Sequence, residues 1–368
     1  MRMKICLAVA LLFPAGQLFA QAPGEGFESH TIWKRTVQAV SASALDEAAT
    51  DPAGDLWFIS DPLGAEPRSP RLVHIDANGT VISRDPLPES INPPFPEVSS
   101  FALAISAEGP LAVLAHHSHT VGRSLYVDGA DFALLDKDKW GVPVKIAGSG
   151  PEYKALIALS DGHFLAMGDQ SPMVLLRLDS TGKIEWTRRF PSTWTLPSGV
   201  STDHGGACIL SSGYLSPWMH LMRLDESGKV HFQTKFQGWD GIVAAGPSDT
   251  CAVLYSTGTA NRNRIRFHLA LFDSSLHQKW SVAIPVASYV GGSFHLASLM
   301  DGWAVVTDSE AGFGSVFMAK YDFSGNAVWS LTEKSLPRTE LSAGAGDSFY
   351  LVCDQPDGRE SSIVFRAK

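Results

Sequence analysis

The sequence is poor in charge, and the charge it has is mostly negative. Asp, Glu, Lys and Arg make up 18% of the 368 residues, and 38 acidic side chains outnumber 29 basic ones. This balance disfavours nucleic acid as a partner, because nucleic-acid binding depends on Lys and Arg that neutralise phosphates. It also disfavours binding to an anionic membrane surface. The sequence lacks an apolar run of the roughly 20 residues that span a bilayer, so we predict no transmembrane segment.

Cysteine is scarce as well. After the first 20 residues the chain has Cys208, Cys251 and Cys353, and an odd number leaves at least one thiol free or paired outside the chain. Cys208 and Cys251 occupy similar places in consecutive repeats, so they either form a bridge or pack as two buried thiols. The sequence has no Cys-x-x-Cys, which argues against a thiol-redox or zinc-ribbon site.

The first 20 residues are typical of an export signal. Arg2 and Lys4 give a positive start, residues 5–13 form a short apolar run, and small residues follow where cleavage would occur. Cys6 lies inside the apolar run, so the sequence does not indicate a lipid-anchored cysteine. We therefore predict a soluble periplasmic or secreted protein in which residues 21–368 form one domain.

Glycine (33 residues) and proline (22 residues) are plentiful, and one kind of turn recurs along the chain. Asp-x-x-Gly turns separate short apolar stretches, because Gly tolerates positive φ and the Asp side chain bonds the nearby backbone. The turns begin at Asp76, Asp179, Asp225 and Asp322, with degenerate copies at Asp136 and Asp273. A period of roughly 40 to 50 residues with four strands in each unit is typical of a β-propeller.

The two ends of the chain predict the number of repeats. Residues 31–37 match the fourth strand of the repeat at 184–190, whereas residues 363–368 match the third strand and stop where a turn would begin. Pairing of the two ends would close the ring and hide two sheet edges. We predict an all-β fold, a seven-bladed β-propeller of four-stranded antiparallel blades in which the N-terminal strand completes the last blade.

The run Asp179-x-x-Gly182-Lys183-x-x-Trp186 resembles the repeat of quinoprotein-type, or PQQ-like, propellers. In that family an Asp-Gly turn precedes a docking tryptophan that packs between blades, and one position here has phenylalanine instead. The corresponding positions here are Trp33, Trp186, Phe232, Trp280 and Trp329. The resemblance covers about five of the seven predicted repeats. It implies a fold and an extracytoplasmic compartment, and it is unspecific for function.

The chain departs from the cofactor-dependent members of that family. Those dehydrogenases generally have eight blades, a calcium site under the quinone and, in some cases, adjacent cysteines. This chain is short and shows neither a Cys-Cys pair nor a readable calcium cluster. We therefore predict no cofactor, with PQQ or a divalent metal left as the alternative.

Aromatic and charged residues in the predicted loops break the repeat, which is what a binding site on a rigid scaffold would do. Loops between the second and third strands, and between blades, would share one rim of the ring. The rim candidates are Trp194, Tyr214, Trp218, Trp239, Asp240, Arg262, Arg264 and Tyr289. Such a set suits a sugar, a peptide or a protein, although the same residues could instead cover the strands beneath.

The only histidine cluster comprises His116, His117 and His119, which we predict to lie in a long loop that runs to Gly129. His117 and His119 could share a metal ion with Asp128 or Asp131 as a further ligand. A second histidine pair at metal-binding spacing is lacking in the sequence. The interpretation that we favour is a solvated loop.

Local catalytic signatures are missing too. The sequence has no Gly-x-Ser-x-Gly, no His-Glu-x-x-His and no phosphate loop. Asp203 and His204 resemble part of a triad but fall where other repeats have a turn, so a turn is favoured. We predict a monomeric, non-catalytic propeller that binds a protein, peptide or glycan through its rim. The alternative is an enzyme, either a hydrolase or lyase or a quinone-dependent oxidoreductase, whose polar residues converge at the central channel without a local motif.

Overall fold

The computed structural model describes seventeen stretches of the chain. They are residues 30–38, 48–60, 70–89, 91, 98–121, 124–137, 139–147, 153–168, 172–191, 194–213, 216–258, 265–288, 294–308, 315–334, 339–344, 346–354 and 361–368. Within them the chain forms seven antiparallel sheets and no α-helix. The predicted export signal lies outside these stretches.

Blades 1 to 4 follow one another along the chain. Blade 1 comprises β2 (Ala48–Thr50), β3 (Leu56–Ser60), β4 (Arg71–Ile75) and β5 (Val81–Pro86). Blade 2 comprises β6 (Val98–Ile105), β7 (Leu111–Val121), β8 (Ser124–Asp136), β9 (Lys139–Trp140) and β10 (Val144–Ala147). Blade 3 comprises β11 (Tyr153–Ala158), β12 (Phe164–Gly168), β13 (Val174–Leu178) and β14 (Ile184–Arg189). Blade 4 comprises β15 (Trp194–Ser201), β16 (Ala207–Gly213), β17 (Ser216–Leu224) and β18 (Val230–Gln237).

Blades 5 to 7 complete the ring. Blade 5 comprises β19 (Gly241–Ala245), β20 (Cys251–Gly258), β21 (Ile265–Phe272) and β22 (Gln278–Ser288). Blade 6 comprises β23 (Phe294–Leu299), β24 (Gly302–Asp308), β25 (Ser315–Asp322) and β26 (Ala327–Lys334). Blade 7 comprises β27 (Thr339–Ala343), β28 (Phe349–Asp354), β29 (Ser361–Ala367) and β1 (Thr31–Gln38).

The first strand of each blade lies at the centre of the ring. These strands contact one another in the order β2, β6, β11, β15, β19, β23, β27 and back to β2. At the periphery β1 pairs antiparallel with β29, from Thr31 opposite Ala367 to Gln38 opposite Ser361. The N–H of Lys368 also bonds the carbonyl of His30 at 3.1 Å. The predicted seven-bladed fold is confirmed, and the pairing of the two chain ends agrees with the predicted closure.

One local prediction is wrong. The segment from His116 to Gly129 is not a loop, because β7 continues to Val121 and β8 begins at Ser124. A register shift between His117 and Ser118 accommodates the extension without breaking the hairpin. Blade 2 therefore has longer second and third strands than the repeat predicts, and it carries the additional short strand β9.

The Asp-x-x-Gly turns show why the repeat needs these residue types. In blade 3 the Asp179 carboxylate accepts the N–H groups of Thr181 and Lys183 at 2.8 and 3.0 Å, and Gly182 has φ +86°. The degenerate turn at Asp273 forms the same bonds, although Leu276 must adopt φ +62° in the place of glycine. The aspartate therefore builds the turn in both forms.

Three of the predicted docking tryptophans lie on the turn of the following blade. Trp33 Nε1 donates to Ala77 O at 3.0 Å, and Trp186 Nε1 donates to Glu226 O at 2.9 Å. Trp280 makes the equivalent bond to Phe323 O at 3.2 Å. In each case the turn that receives the indole has a glycine, and a β-carbon on that glycine would lie 2.9 to 3.1 Å from the nearest atom of the indole ring. The glycine is thus required both by positive φ and by the approach of the neighbouring blade.

The other two docking positions differ. Trp329 stacks on His30 with ring centroids 4.4 Å apart, where the chain ends stand in the place of a turn. Phe232 is 43% exposed. In its blade Arg223, which lies opposite Phe232 in the sheet, donates to Ser274 O of the next turn at 3.4 Å. In blade 4 the hydrogen bond to the turn of the next blade is therefore donated by Arg223 and not by the docking aromatic residue.

Candidate binding face and its polar support

The antiparallel order of each blade divides the connections between two ends of the ring. The turn face carries the turns between the first and second strands and between the third and fourth strands, such as 159–163 and 179–183 in blade 3. The loop face carries the connections between the second and third strands and the linkers between blades, such as 214–215 and 238–240. The predicted rim is the loop face.

The structure describes the side chains of three of the eight rim candidates, namely Trp218, Trp239 and Asp240. Trp194 begins β15, but its side chain lies outside the described part. The remaining candidates also lie outside the described residues: Tyr214, Arg262, Arg264 and Tyr289.

Trp218 presents an exposed indole near the loop face. It lies close to the start of β17, is 42% exposed, and has Lys235 Nζ 4.5 Å from its ring centroid. A cation over an indole face is attracted by the ring quadrupole, by about 0.5–1 kcal/mol at an exposed site. On the same strands, His220 Nδ1 and Gln233 Nε2 are 3.3 Å apart. Burial, and then the charge of Lys235, lower the pKa of His220, so this histidine is neutral at pH 7.

The linker beside Trp218 is fixed to the next blade. Trp239 N–H donates to Ser256 O at 3.0 Å, and Ser256 N–H returns a bond to Asp240 O at 2.8 Å. Asp240 N–H also lies 3.3 Å from Ser256 Oγ. The half-buried Trp239 and the exposed Asp240 are therefore carried on a short linker that both blades hold in place.

Sequence reasoning missed a second polar group near this linker, in blade 5. His268 stacks on Tyr255 with centroids 5.3 Å apart and shares a 2.9 Å hydrogen bond with Thr257. Burial, and then the charge of the exposed Arg266, lower the pKa of His268. These residues follow the ordinary side-chain alternation of two paired strands, so the sequence offered no signal that set them apart.

The predicted histidine cluster separates in the structure. His116 is buried in β7, whereas His117 Nε2 lies 3.0 Å from Asp131 Oδ2 on β8. His119 lies opposite Tyr126 in the strand pair, and its side chain is outside the described part. Among the described side chains, the cluster thus brings one histidine and one carboxylate together.

A second group of metal-ligand type lies on the turn face of blade 1. Ligand atoms of Asp51, Asp55 and His74 lie within 4.8 Å of one another. The carboxylates are already engaged: Asp51 accepts from Asp55 N–H and Trp57 Nε1, while Asp55 accepts from Ala77 N–H. The second Asp55 oxygen lies 3.0 Å from His74 Nε2. The hydrogen bonds of these three residues therefore connect the two turns of blade 1, which is a structural role.

A row of cations supports the turn face. Arg177, Arg223 and Lys320 each lie two positions before the turn that follows the third strand, and Arg366 holds the equivalent place in blade 7. Arg177 is 5% exposed; it donates to Gly205 O of blade 4 at 2.7 Å and to Glu185 at 2.7 Å, and it pairs with Asp161. Lys320 similarly pairs with Asp301 of its own blade and with Asp347 of blade 7. These cations link neighbouring blades along the turn face.

No protein-family model and no curated protein sequence matches the chain. Solved structures do. The BP39L lectin from Burkholderia pseudomallei has a TM-score of 0.60 at 11% identity, covering 90% of this chain and 94% of that chain. BBS1N in complex with ARL6DN has a TM-score of 0.57 at 13% identity, covering 92% and 96%.

A third match is the β-propeller domain of the Trilobed protease from Pyrococcus furiosus, with a TM-score of 0.55 at 10% identity, covering 89% and 94%. That domain has an open velcro topology, whereas β1 and β29 pair in this chain. At these identities the likeness extends to the fold alone. The protein is a seven-bladed β-propeller, and in the described residues no helix is long and apolar enough to cross a membrane.

Proposed function

We propose that this protein is an exported, non-catalytic binding propeller that recognises a protein, peptide or glycan through its loop face. The observation that carries the proposal is Trp218, an exposed indole restrained by Lys235 beside a linker that is hydrogen-bonded to the next blade. Exposed aromatic rings on a rigid scaffold supply contact area at low entropic cost, and they are enriched at binding hot spots.

The two faces of the ring support this assignment differently. On the turn face, buried cations and aspartates are engaged with each other and with backbone groups, which fits a structural role. On the loop face, Trp218 and Asp240 remain exposed while their backbone is fixed. The propellers that resemble this chain include a lectin and a protein complexed with another protein, so the fold is compatible with both ligand classes.

Trp218→Ala tests the proposal. The wild-type protein is screened on a glycan array and a random peptide library, and each ligand found is titrated against both proteins by calorimetry. We expect Trp218→Ala to weaken binding by at least about 30-fold, which corresponds to about 2 kcal/mol for a hot-spot indole.

Phe232→Ala is the matched control, because Phe232 is a similarly exposed aromatic residue near the turn-face end of the same blade. It should bind as the wild type does. Equal affinities of Trp218→Ala and wild type for every ligand found would remove Trp218 from the site and the main support for the proposal.

Export is checked separately. If residues 1–20 act as a signal, the protein recovered from the periplasm or culture medium begins at Gln21, which intact-mass measurement resolves. Replacing Arg2 and Lys4 with glutamate should reduce the exported fraction, because the positive start is required for targeting. A full-length exported chain would contradict cleavage at this position.

A further inference from the structure

Two cysteine side chains meet in the interface between blades 4 and 5. Cys208 and Cys251 lie in the second strands of these blades and belong to one buried cluster together with Leu210 and Val253. Both are 0% exposed, and both are thiols in the structure. The thiol of Cys208 is in hydrogen-bonding contact with that of Cys251.

The strand register explains why the two side chains face each other. In blade 4, Ala207 lies opposite Leu224, the last residue of the third strand. In blade 5, Cys251 lies opposite Phe272, which is likewise the last residue of the third strand. Cys208 is therefore one position further along its strand than Cys251. Since successive side chains of a strand point to opposite faces, Cys208 faces blade 5 and Cys251 faces blade 4.

We propose that Cys208 and Cys251 form a disulfide bond between the two blades when the chain folds in an oxidising compartment, an inference that rests on the proposed export. The oxidant is a small-molecule or protein disulfide. One cysteine thiolate attacks it to give a mixed disulfide and one thiol, and the second cysteine displaces the other thiol. The two cysteines together lose two protons and two electrons, and the oxidant disulfide is reduced to two thiols.

The bond forms before the interface closes. Burial, and then the neighbouring Cys251, raise the pKa of Cys208 well above its ordinary value, and both side chains are buried in the folded protein, so the bond does not form there. In the partly folded chain both are accessible. Of the other two cysteines of the full chain, Cys6 lies in the predicted export signal, and Cys353 is buried in another cluster, in blade 7, and serves as an internal control.

The experiment is differential alkylation. The full chain is unfolded under reducing conditions, refolded with oxidised and reduced glutathione, unfolded again without reductant and treated with N-ethylmaleimide. We expect Cys208 and Cys251 to escape labelling, and peptide mapping to give one linked peptide pair. Labelling of both without prior reduction would overturn the proposal.

Two variants sharpen the result. Cys353→Ser should keep the linked pair, whereas Cys208→Ser should leave Cys251 open to labelling. The wild type refolded with glutathione should melt several degrees above the wild type refolded in reductant, because the link restricts the unfolded chain. The double variant Cys208→Ser, Cys251→Ser should show no such difference. This assay needs no ligand and no export, so it stays readable if the binding proposal fails.

Discussion

Replacing Trp303 with alanine is expected to lower the free energy of unfolding by about 3–5 kcal/mol. Trp303 lies in β24 of blade 6, is 0% exposed, and donates Nε1–H to Ala245 O of blade 5 at 2.9 Å. Its ring packs edge-on against Trp280 and Phe323, with centroids 5.9 and 5.0 Å away. Alanine would leave a cavity in an interface that two blades share, and neither blade can move to fill it without opening the ring.

Two further variants separate the contributions of volume and hydrogen bonding. Trp303→Phe keeps most of the ring, and Ala245 O still accepts from Ser298 Oγ at 2.7 Å, so we expect a loss of about 1 kcal/mol. Phe232→Ala removes an aromatic residue that is 43% exposed, and its effect should be smaller than that of Trp303→Ala. Guanidinium titrations followed by circular dichroism give the three values. A change below about 1 kcal/mol in Trp303→Ala would mean that the indole does not hold the interface.

Replacing Arg177 with methionine is expected to lower the free energy of unfolding by about 2–3 kcal/mol. Breaking a buried ion pair commonly costs about 3–5 kcal/mol, and the value here is smaller because the partner carboxylates retain some solvent. The side chain of Arg177 is 6% exposed, whereas those of Asp161 and Glu185 are 29% and 39% exposed. The guanidinium also bonds Gly205 O, which links blade 3 to blade 4. Lys183→Met, at an exposed position in the same blade, should change stability by less than about 0.5 kcal/mol.

The Arg177 variant should also change the pH dependence of stability. Burial by itself raises the pKa of Asp161, but the hydrogen bond and charge of Arg177, together with smaller contributions from His163, outweigh it, so this pKa lies below its ordinary value. A lowered folded-state pKa gives stability that is complete above the unfolded pKa and is lost as pH falls through the folded value. The wild type should therefore lose more stability than Arg177→Met as the pH is lowered from 5 to 2. Parallel losses in titrations across this range would contradict the coupling.

The turns and the number of blades could be predicted because their causes are local or lie at the chain ends. An aspartate such as Asp179 bonds the N–H groups of its own turn, so the motif is readable without knowledge of the neighbouring blades. The match between 31–37 and 184–190 is likewise a property of the sequence. The same method failed at 116–129, where three histidines and a glycine favoured a loop. There the strands extend because β7 and β8 continue to pair with each other beyond the usual length.

The candidate site could be predicted only in outline. The linker residues Trp239 and Asp240 were found because they break the repeat, and the structure adds that Ser256 of the next blade holds their backbone. Tyr255 and His268 obey the strand pattern, so nothing local distinguished them from ordinary strand residues. Their contact depends on the pairing of β20 with β21, which places them opposite each other.

By itself the sequence determined the repeat, the residue types of its turns and the blade count, because each follows from backbone preferences within a few residues or from comparison of the two ends. Only the tertiary structure decided which residues join the blades. Arg177 reaches Gly205, Trp303 reaches Ala245, and Cys208 meets Cys251 across separations of roughly 30 to 60 residues. These contacts depend on the curvature of the ring and on which sides of adjacent sheets face each other. Neither of these can be read from the residue pattern within one repeat.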